Sequence, residues 1–234
     1  MSWKKDYKDK LISLEVAALL IKSGDCIGMP VGTSAPFELM NAIAARYEEL
    51  ENITVISGLL MLPFDHLNSK CKGKIQHQSL FLGPFERMAA RQGNVSSLVC
   101  QFSKIDYLFN ERIRNNVALL ECSPPDENGY LSLGSFGVMT GRQFMKNADT
   151  VIFQVNKNMP YIYGNQAQVH VDEVDYFCEK DREMSVLPKA SIGDAEKNIA
   201  SHIVAQIPDG ATIQLGVGNV SDAVGSLLEE KNDL

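Results

Sequence analysis

Apolar residues recur every three or four positions over 11–22, with Leu14, Ala17, Ala18 and Ile21 on one face. That spacing predicts an amphipathic helix, ended by Ser23-Gly24-Asp25. Cys26-Ile27-Gly28-Met29 then reads as a short strand and Val31-Gly32-Thr33-Ser34-Ala35 as a loop. Pro36 suits a first helical position, Thr33 or Ser34 can cap, and a helix is predicted over 37–50. Ile53-Thr54-Val55-Ile56-Ser57 is a β-branched run between Asn52 and Gly58, which predicts the next strand.

Strand, Gly loop, helix and strand in that order make a βαβ unit, which implies a parallel sheet with buried strands. The pattern recurs twice. Leu131-Ser132-Leu133 precedes Gly134, Gly137, a helical stretch to Ala148 and a strand over 150–155. Ala211-Thr212-Ile213-Gln214-Leu215 precedes Gly216-Val217-Gly218-Asn219 and a helix over 220–231. Val117 to Leu120 reads as one more buried strand, closed by the turn Ser123-Pro124-Pro125-Asp126-Glu127-Asn128-Gly129. The first and last units also match residue by residue: Gly24 with Gly210, Ile27 with Ile213, Val31-Gly32 with Val217-Gly218. Either two generic βα units coincide, or a second α/β domain starts near residue 190. The second reading divides the chain into a domain over 1–187, a linker over 188–194 and the opening of a second domain over 195–234.

At 234 residues the chain is long for one domain and short for two, at about 150 residues each. A hydrophobic content of 45%, a charged content of 22% and a mean hydropathy of -0.09 describe an ordinary globular protein. The net charge of -7 argues against nucleic-acid or anionic-membrane partners. Lys4, Lys5, Lys8 and Lys10 are interleaved with Asp6 and Asp9 and read as a solvated first turn. No apolar stretch approaches the ~20 residues of a membrane span. The charged N-terminus does not read as a signal peptide, so a cytoplasmic location is expected. Cys26, Cys71, Cys100, Cys122 and Cys178 show neither C-x-x-C nor zinc spacing and read as reduced core residues.

The candidate chemistry is sparse. His66, His77, His170 and His202 are scattered, so no metal site is expected. No G-x-S-x-G elbow occurs. The i, i+2 spacing of His77 and Ser79 would put both on one face of a strand without ensuring the hydrogen bond a nucleophile needs, which suits a structural or substrate-lining role better. Two Gly turns feeding helices, Val31 to Ala35 and Gly216 to Val220, could hold an anion or simply cap. Neither completes a dinucleotide or P-loop fingerprint. Asp126-Glu127 follows a strand, as a functional carboxylate or a solvated turn would.

Several longer stretches together resemble the acetyl-CoA hydrolase/transferase family, of the 4-hydroxybutyrate and butyryl-CoA:acetate CoA-transferase type. Ser123 to Tyr130, then Ser132 and Gly134, resembles its SPxDExGYxSxG stretch. Val155-Asn156-Lys157-Asn158-Met159-Pro160, with Gly164 and His170-Val171, resembles its VNxxMP…IHV stretch. His77 to Arg87 resembles its F-x-G-x-x-x-R stretch, and Asp209 to Asn219 its DGATLQxGxG stretch.

The resemblance implies two related open α/β sheets, an acyl-CoA and a small carboxylic acid as substrates, and no metal. It implies CoA contacts at Gln214, Leu215, Gly216, Val217, Gly218 and Asn219, with Gly32, Thr33, Ser79, Gly83 and Arg87 lining the substrate. Its nucleophile is a glutamate in a short H-[TS]-E-M segment, which 1–234 does not contain, so the catalytic residue is expected after Leu234. Ser221 stands where many relatives have Pro, and Tyr161-Ile162-Tyr163 replaces a commonly basic stretch. A chain ending within its second domain leaves a helix-and-sheet surface uncovered, which predicts a homo-oligomer. The rival readings are a CoA-ester hydrolase with water as acceptor, a non-catalytic binding or oligomerisation module and, more distantly, a sugar-phosphate isomerase with a related open sheet.

Overall fold

The computed structural model describes residues 3–186 and 191–234. The chain divides into two compact units, one ending at Ser185 and the other beginning at Val186. The predicted linker lies partly outside the described residues, and its last position, Asp194, already opens a helix.

The first unit is α/β. Its main sheet has seven strands: β1 (Cys26–Gly28), β2 (Ile53–Ser57), β3 (Ile75–Ser79), β4 (Val95–Ser97), β5 (Val117–Cys122), β7 (Thr150–Val155) and β9 (Tyr176–Glu179). They lie in the order β4-β3-β2-β1-β5-β7-β9, and every pairing is parallel. Alternation along β5 shows why both faces need cover. Leu119 packs into one apolar cluster with Ile27, Val55 and Ile152. Ala118 and Leu120 point the other way, into a cluster with Phe144, Phe153 and Phe177. Helices α2 (Leu14–Leu19) and α3 (Phe37–Ala44) bury Ala17, Ala18, Leu39, Met40 and Ile43 in the first cluster. The long helix α6 (Gly134–Asn147) carries Phe144 of the second. A Cβ on Gly28 would stand 2.1 Å from the Phe144 ring, so a side-chain-free residue lets α6 approach β1.

The structure corrects or extends several expectations. Leu131-Ser132-Leu133 does not open a second βαβ unit. β6 (Tyr130–Ser132) pairs antiparallel with β8 (Gln168–His170) in a separate ribbon. The lysine-rich start is helix α1 (Trp3–Lys10), anchored by Trp3 Nε1 donating to the Glu127 carbonyl (3.2 Å) and Tyr7 Oη donating to Glu179 (2.7 Å). The helix over 11–22 is shorter than its periodicity suggests. Ser13 caps α2, and Leu11 bridges to Phe177 as extended chain.

Two shorter helices complete the first unit, α4 (Pro84–Ala90) and α5 (Ile105–Glu111). The second unit holds α7 (Asp194–Val204) and α8 (Asn219–Leu227) around a small core of Ala200, Ala223 and Val224. Ala211–Leu215, expected as a strand, forms none. An isolated β run has no ladder to satisfy its backbone groups, and this one pairs with no strand among the described residues. The internal match keeps one geometric echo. Gly24 and Gly210 both turn the chain at positive φ (88° and 76°). Both donate their amide to a backbone carbonyl beyond the next α-helix, that of Glu51 (2.8 Å) and that of Asn232 (2.9 Å).

Candidate active site

Strand order reverses between β1 and β5, and in open parallel sheets ligands bind beyond the carboxyl ends of strands at such a switch point. The turn Gly32-Thr33-Ser34 sits there, directly after β1. Gly32 takes a positive φ of 65°, and a Cβ on it would meet the Phe136 ring at 2.5 Å. Only glycine suits both the turn and the contact. Ser34 Oγ joins the turn to the start of α6, donating to the Leu133 carbonyl (2.9 Å) and accepting from the Gly137 amide (2.9 Å).

An apolar cavity of about 340 Å³ opens beside this turn. Strand ends supply Val31 after β1, Leu59 after β2, and Leu80 and Phe81 after β3. The segment after β4 adds Cys100, Phe102 and Ile105, and α6 closes the cavity with Phe136 and Met139. The loops are pinned from behind. The buried Glu86 carboxylate accepts from the Leu60 amide (2.8 Å), and burial raises its pKa. Gly83 leaves room for it, since a Cβ there would lie 2.7 Å from Glu86 Oε2.

A charged cluster lies at the ends of β5 and β7. Arg182 donates through Nε and Nη2 to Glu121 Oε2 (3.0 and 2.7 Å) and through Nη2 to the Thr33 carbonyl (3.0 Å). Asn156 donates to the other Glu121 oxygen (2.7 Å), and Glu38 stands 3.7 Å from Arg182. Glu121 is wholly buried and Arg182 is 8% exposed. Burial pushes the Glu121 pKa up to about 7 against the opposing pull of Arg182 and Asn156. The Gly32 turn therefore has a hydrocarbon cavity on one side, and Arg182 holds its Thr33 carbonyl on the other. A lone glutamate next to the end of the apolar strand β5 is a readable sign of such a pair. Its partner, 61 residues away, is not.

The expected substrate-lining residues separate. Gly32 and Thr33 form the turn itself. Ser79 is buried, with its hydroxyl donating to the Phe81 carbonyl (2.8 Å), and makes no hydrogen bond to His77. His77 pairs instead with His66, Nδ1 to Nε2 at 3.0 Å, deep in the unit. Gly83 caps α4, and Arg87 donates to the Leu82 carbonyl (2.7 Å). These three shape the loop that carries Leu80 and Phe81. Asp126 is a turn organiser. Its carboxylate accepts from the Asn128 and Tyr130 amides (2.8 and 2.9 Å) and from Tyr161 Oη (2.9 Å). Those bonds outweigh desolvation and lower its pKa.

Gln214 to Asn219 lie in the second unit. Val217 is 92% exposed, Gly218 precedes α8 at a φ of 138°, and no side chain caps that helix start. Among the described residues, no cluster of three metal-ligating side chains occurs and no helix is long and apolar enough to cross a membrane.

Known proteins give this geometry a context. The chain is 32% identical to the 4-hydroxybutyrate coenzyme A transferase of Clostridium kluyveri, covering 100% of the chain and 54% of that relative. It is 32% identical to the butyryl-CoA:acetate CoA-transferase of Anaerostipes caccae, covering 99% and 53%. The crystal structure of RipA from Yersinia pestis superposes with a TM-score of 0.93 at 27% identity, over 100% of this chain and 57% of that one. The 4-hydroxybutyrate CoA-transferase of Porphyromonas gingivalis gives 0.80 at 27% identity, over 98% and 54%. The chain thus spans about half the length of the curated relatives it matches. Residues 1–188 match the model of the acetyl-CoA hydrolase/transferase N-terminal domain, and the chain belongs to that family.

Proposed function

We propose that the protein serves in the transfer of CoA between a short acyl-CoA and a carboxylic acid. The observation that carries this is the Gly32 turn beside a hydrocarbon cavity at the sheet's switch point, in a chain of this family. The cavity of the first unit would take the acyl group. In the second unit, taken by itself, the Gly216–Asn219 turn has uncapped backbone N–H groups at the start of α8, which suit an anionic group of CoA.

In this reading the nucleophile is a glutamate outside residues 1–234. Its carboxylate attacks the thioester carbonyl, and CoA thiolate leaves an acyl-glutamyl anhydride. The thiolate returns to the glutamyl carbonyl and releases the first acid. The acceptor carboxylate then attacks the glutamyl-CoA thioester and expels CoA thiolate once more. The thiolate takes the new acyl group and frees the glutamate. Each half-reaction stands alone, so the kinetics are ping-pong.

Calorimetric titration of the 234-residue chain with acetyl-CoA tests the binding half. Saturable binding supports the reading, and a folded chain that takes up no heat contradicts it. The same chain is expected to show no turnover from butyryl-CoA to acetate, so measurable ping-pong turnover would place the nucleophile inside these residues. Thiol release without added carboxylate would assign a hydrolase instead.

A further inference from the structure

Among the described residues, the non-glycine positions at positive φ are Asn52, Leu59, Gln166 and Asp233. Asn and Asp tolerate the left-handed region because their short polar side chains bond locally. Leu59, at 48°, is the one apolar residue of the set. Such strain persists only where the surroundings impose it, and it gathers at functional sites. Leu59 stands at the switch point. It follows β2, and the carbonyl of its neighbour Gly58 accepts from the Gly32 amide (3.4 Å).

The strained residue is clamped on both sides. Its own amide donates to the Phe81 carbonyl (2.8 Å), and the next amide, that of Leu60, donates to Glu86 Oε1 (2.8 Å). A Cβ on Gly58 would lie 2.7 Å from the Phe81 nitrogen, so the two loops are in backbone contact. The first clamp is a backbone carbonyl, which any residue supplies. The second is a side chain.

That side chain is unfavourable for packing alone. Glu86 is wholly buried, and its Oε2 meets no donor at hydrogen-bonding geometry among the described residues. An apolar residue in the first turn of α4 would avoid a half-satisfied buried carboxyl. What the carboxyl supplies is an acceptor for Leu60. Through Leu60 it fixes Leu59, Gly58 and the edge of the Gly32 turn.

We propose that Glu86 is a positioning residue: its carboxyl group holds Leu59 left-handed and so sets the Gly58 carbonyl against the Gly32 turn, where a CoA ester binds. The role rests on the CoA reading above and adds to it a residue that touches no substrate.

Glu86→Leu removes the acceptor, and Glu86→Gln keeps one. Backbone couplings in NMR spectra of the 234-residue chain read the sign of φ at Leu59. Calorimetry with butyryl-CoA reads binding. Glu86→Leu is expected to move Leu59 to negative φ and to weaken binding by about tenfold or more. Glu86→Gln is expected to keep the positive φ and to bind within about threefold of the unsubstituted chain. A glutamate that only stabilised the fold would leave the sign of φ unchanged in both variants. Should Glu86→Leu not fold, Glu86→Asp, one methylene shorter, withdraws the acceptor with the same expected outcome. A negative φ at Leu59 in the unsubstituted chain overturns the proposal without any variant. Positive φ retained in Glu86→Leu, or lost with binding unchanged, overturns the positioning role and leaves the CoA reading standing. An unsubstituted chain that binds no butyryl-CoA overturns the CoA reading and the positioning role with it.

Discussion

Replacing Arg182 by Met leaves the Glu121 carboxylate wholly buried with Asn156 as its remaining partner. The substitution deletes two hydrogen bonds to Glu121 and one to the Thr33 carbonyl. Breaking a buried pair from one side costs about 3–5 kcal/mol, because an uncompensated charge stays behind. For a unit of this size, about 2–4 °C per kcal/mol gives a melting temperature lowered by roughly 10 °C. The pH dependence identifies the cause. Burial already raises the Glu121 pKa to about 7, and loss of the arginine raises it further. A carboxyl with a raised folded pKa destabilises only where it is ionised. The deficit of R182M relative to the unsubstituted chain is therefore largest near pH 8 and shrinks toward pH 5, where the buried group holds its proton. Adding Glu121→Gln removes the charge and recovers most of the loss. Thermal unfolding by circular dichroism at both pH values reads all three effects. A loss under 1 kcal/mol, or a double variant no better than R182M, would refute the reasoning.

Other perturbations reach separate parts of the unit. The buried His66–His77 pair is neutral, and burial lowers both pKa values, that of His77 from 6.5 to about 3. Folded pKa values below the unfolded ones mean that stability is full above pH 6.5 and falls as pH drops. The loss is about 2 kcal/mol for His77 by pH 5, with His66 acting in the same direction, and a His66→Leu/His77→Leu chain should lose that slope in denaturant titrations. Gly28→Ala drives a Cβ into the Phe144 ring and should cost about 2 kcal/mol or more in urea unfolding. Asp126→Ala frees the Tyr161 hydroxyl and two turn amides, and faster amide exchange is expected at Asn128 and Tyr130.

Local signals made β1, β2, β5 and the α3 start legible, because apolar strands bounded by Gly, Pro and Asn need no distant information. Composition hid β3, where Gln76, His77 and Gln78 mask a strand whose buried members are Ile75, His77 and Ser79. β6 was misassigned because three residues cannot say which partner they join. Ala211–Leu215 shows that a β-rich sequence forms a strand only where a ladder receives it. At the site, the Gly32 turn was readable from its glycine and the following Pro36. The apolar cavity and the Glu121–Arg182 pair were not, since both assemble residues from strand ends and loops far apart in the chain.

The central claim is that a CoA ester binds at the carboxyl ends of the strands around the Gly32 turn. Hydrogen–deuterium exchange of the chain with and without saturating butyryl-CoA tests it most directly. The account predicts protection in 29–35, 58–62 and 80–84. Unchanged exchange in all three segments under saturating ligand would contradict it.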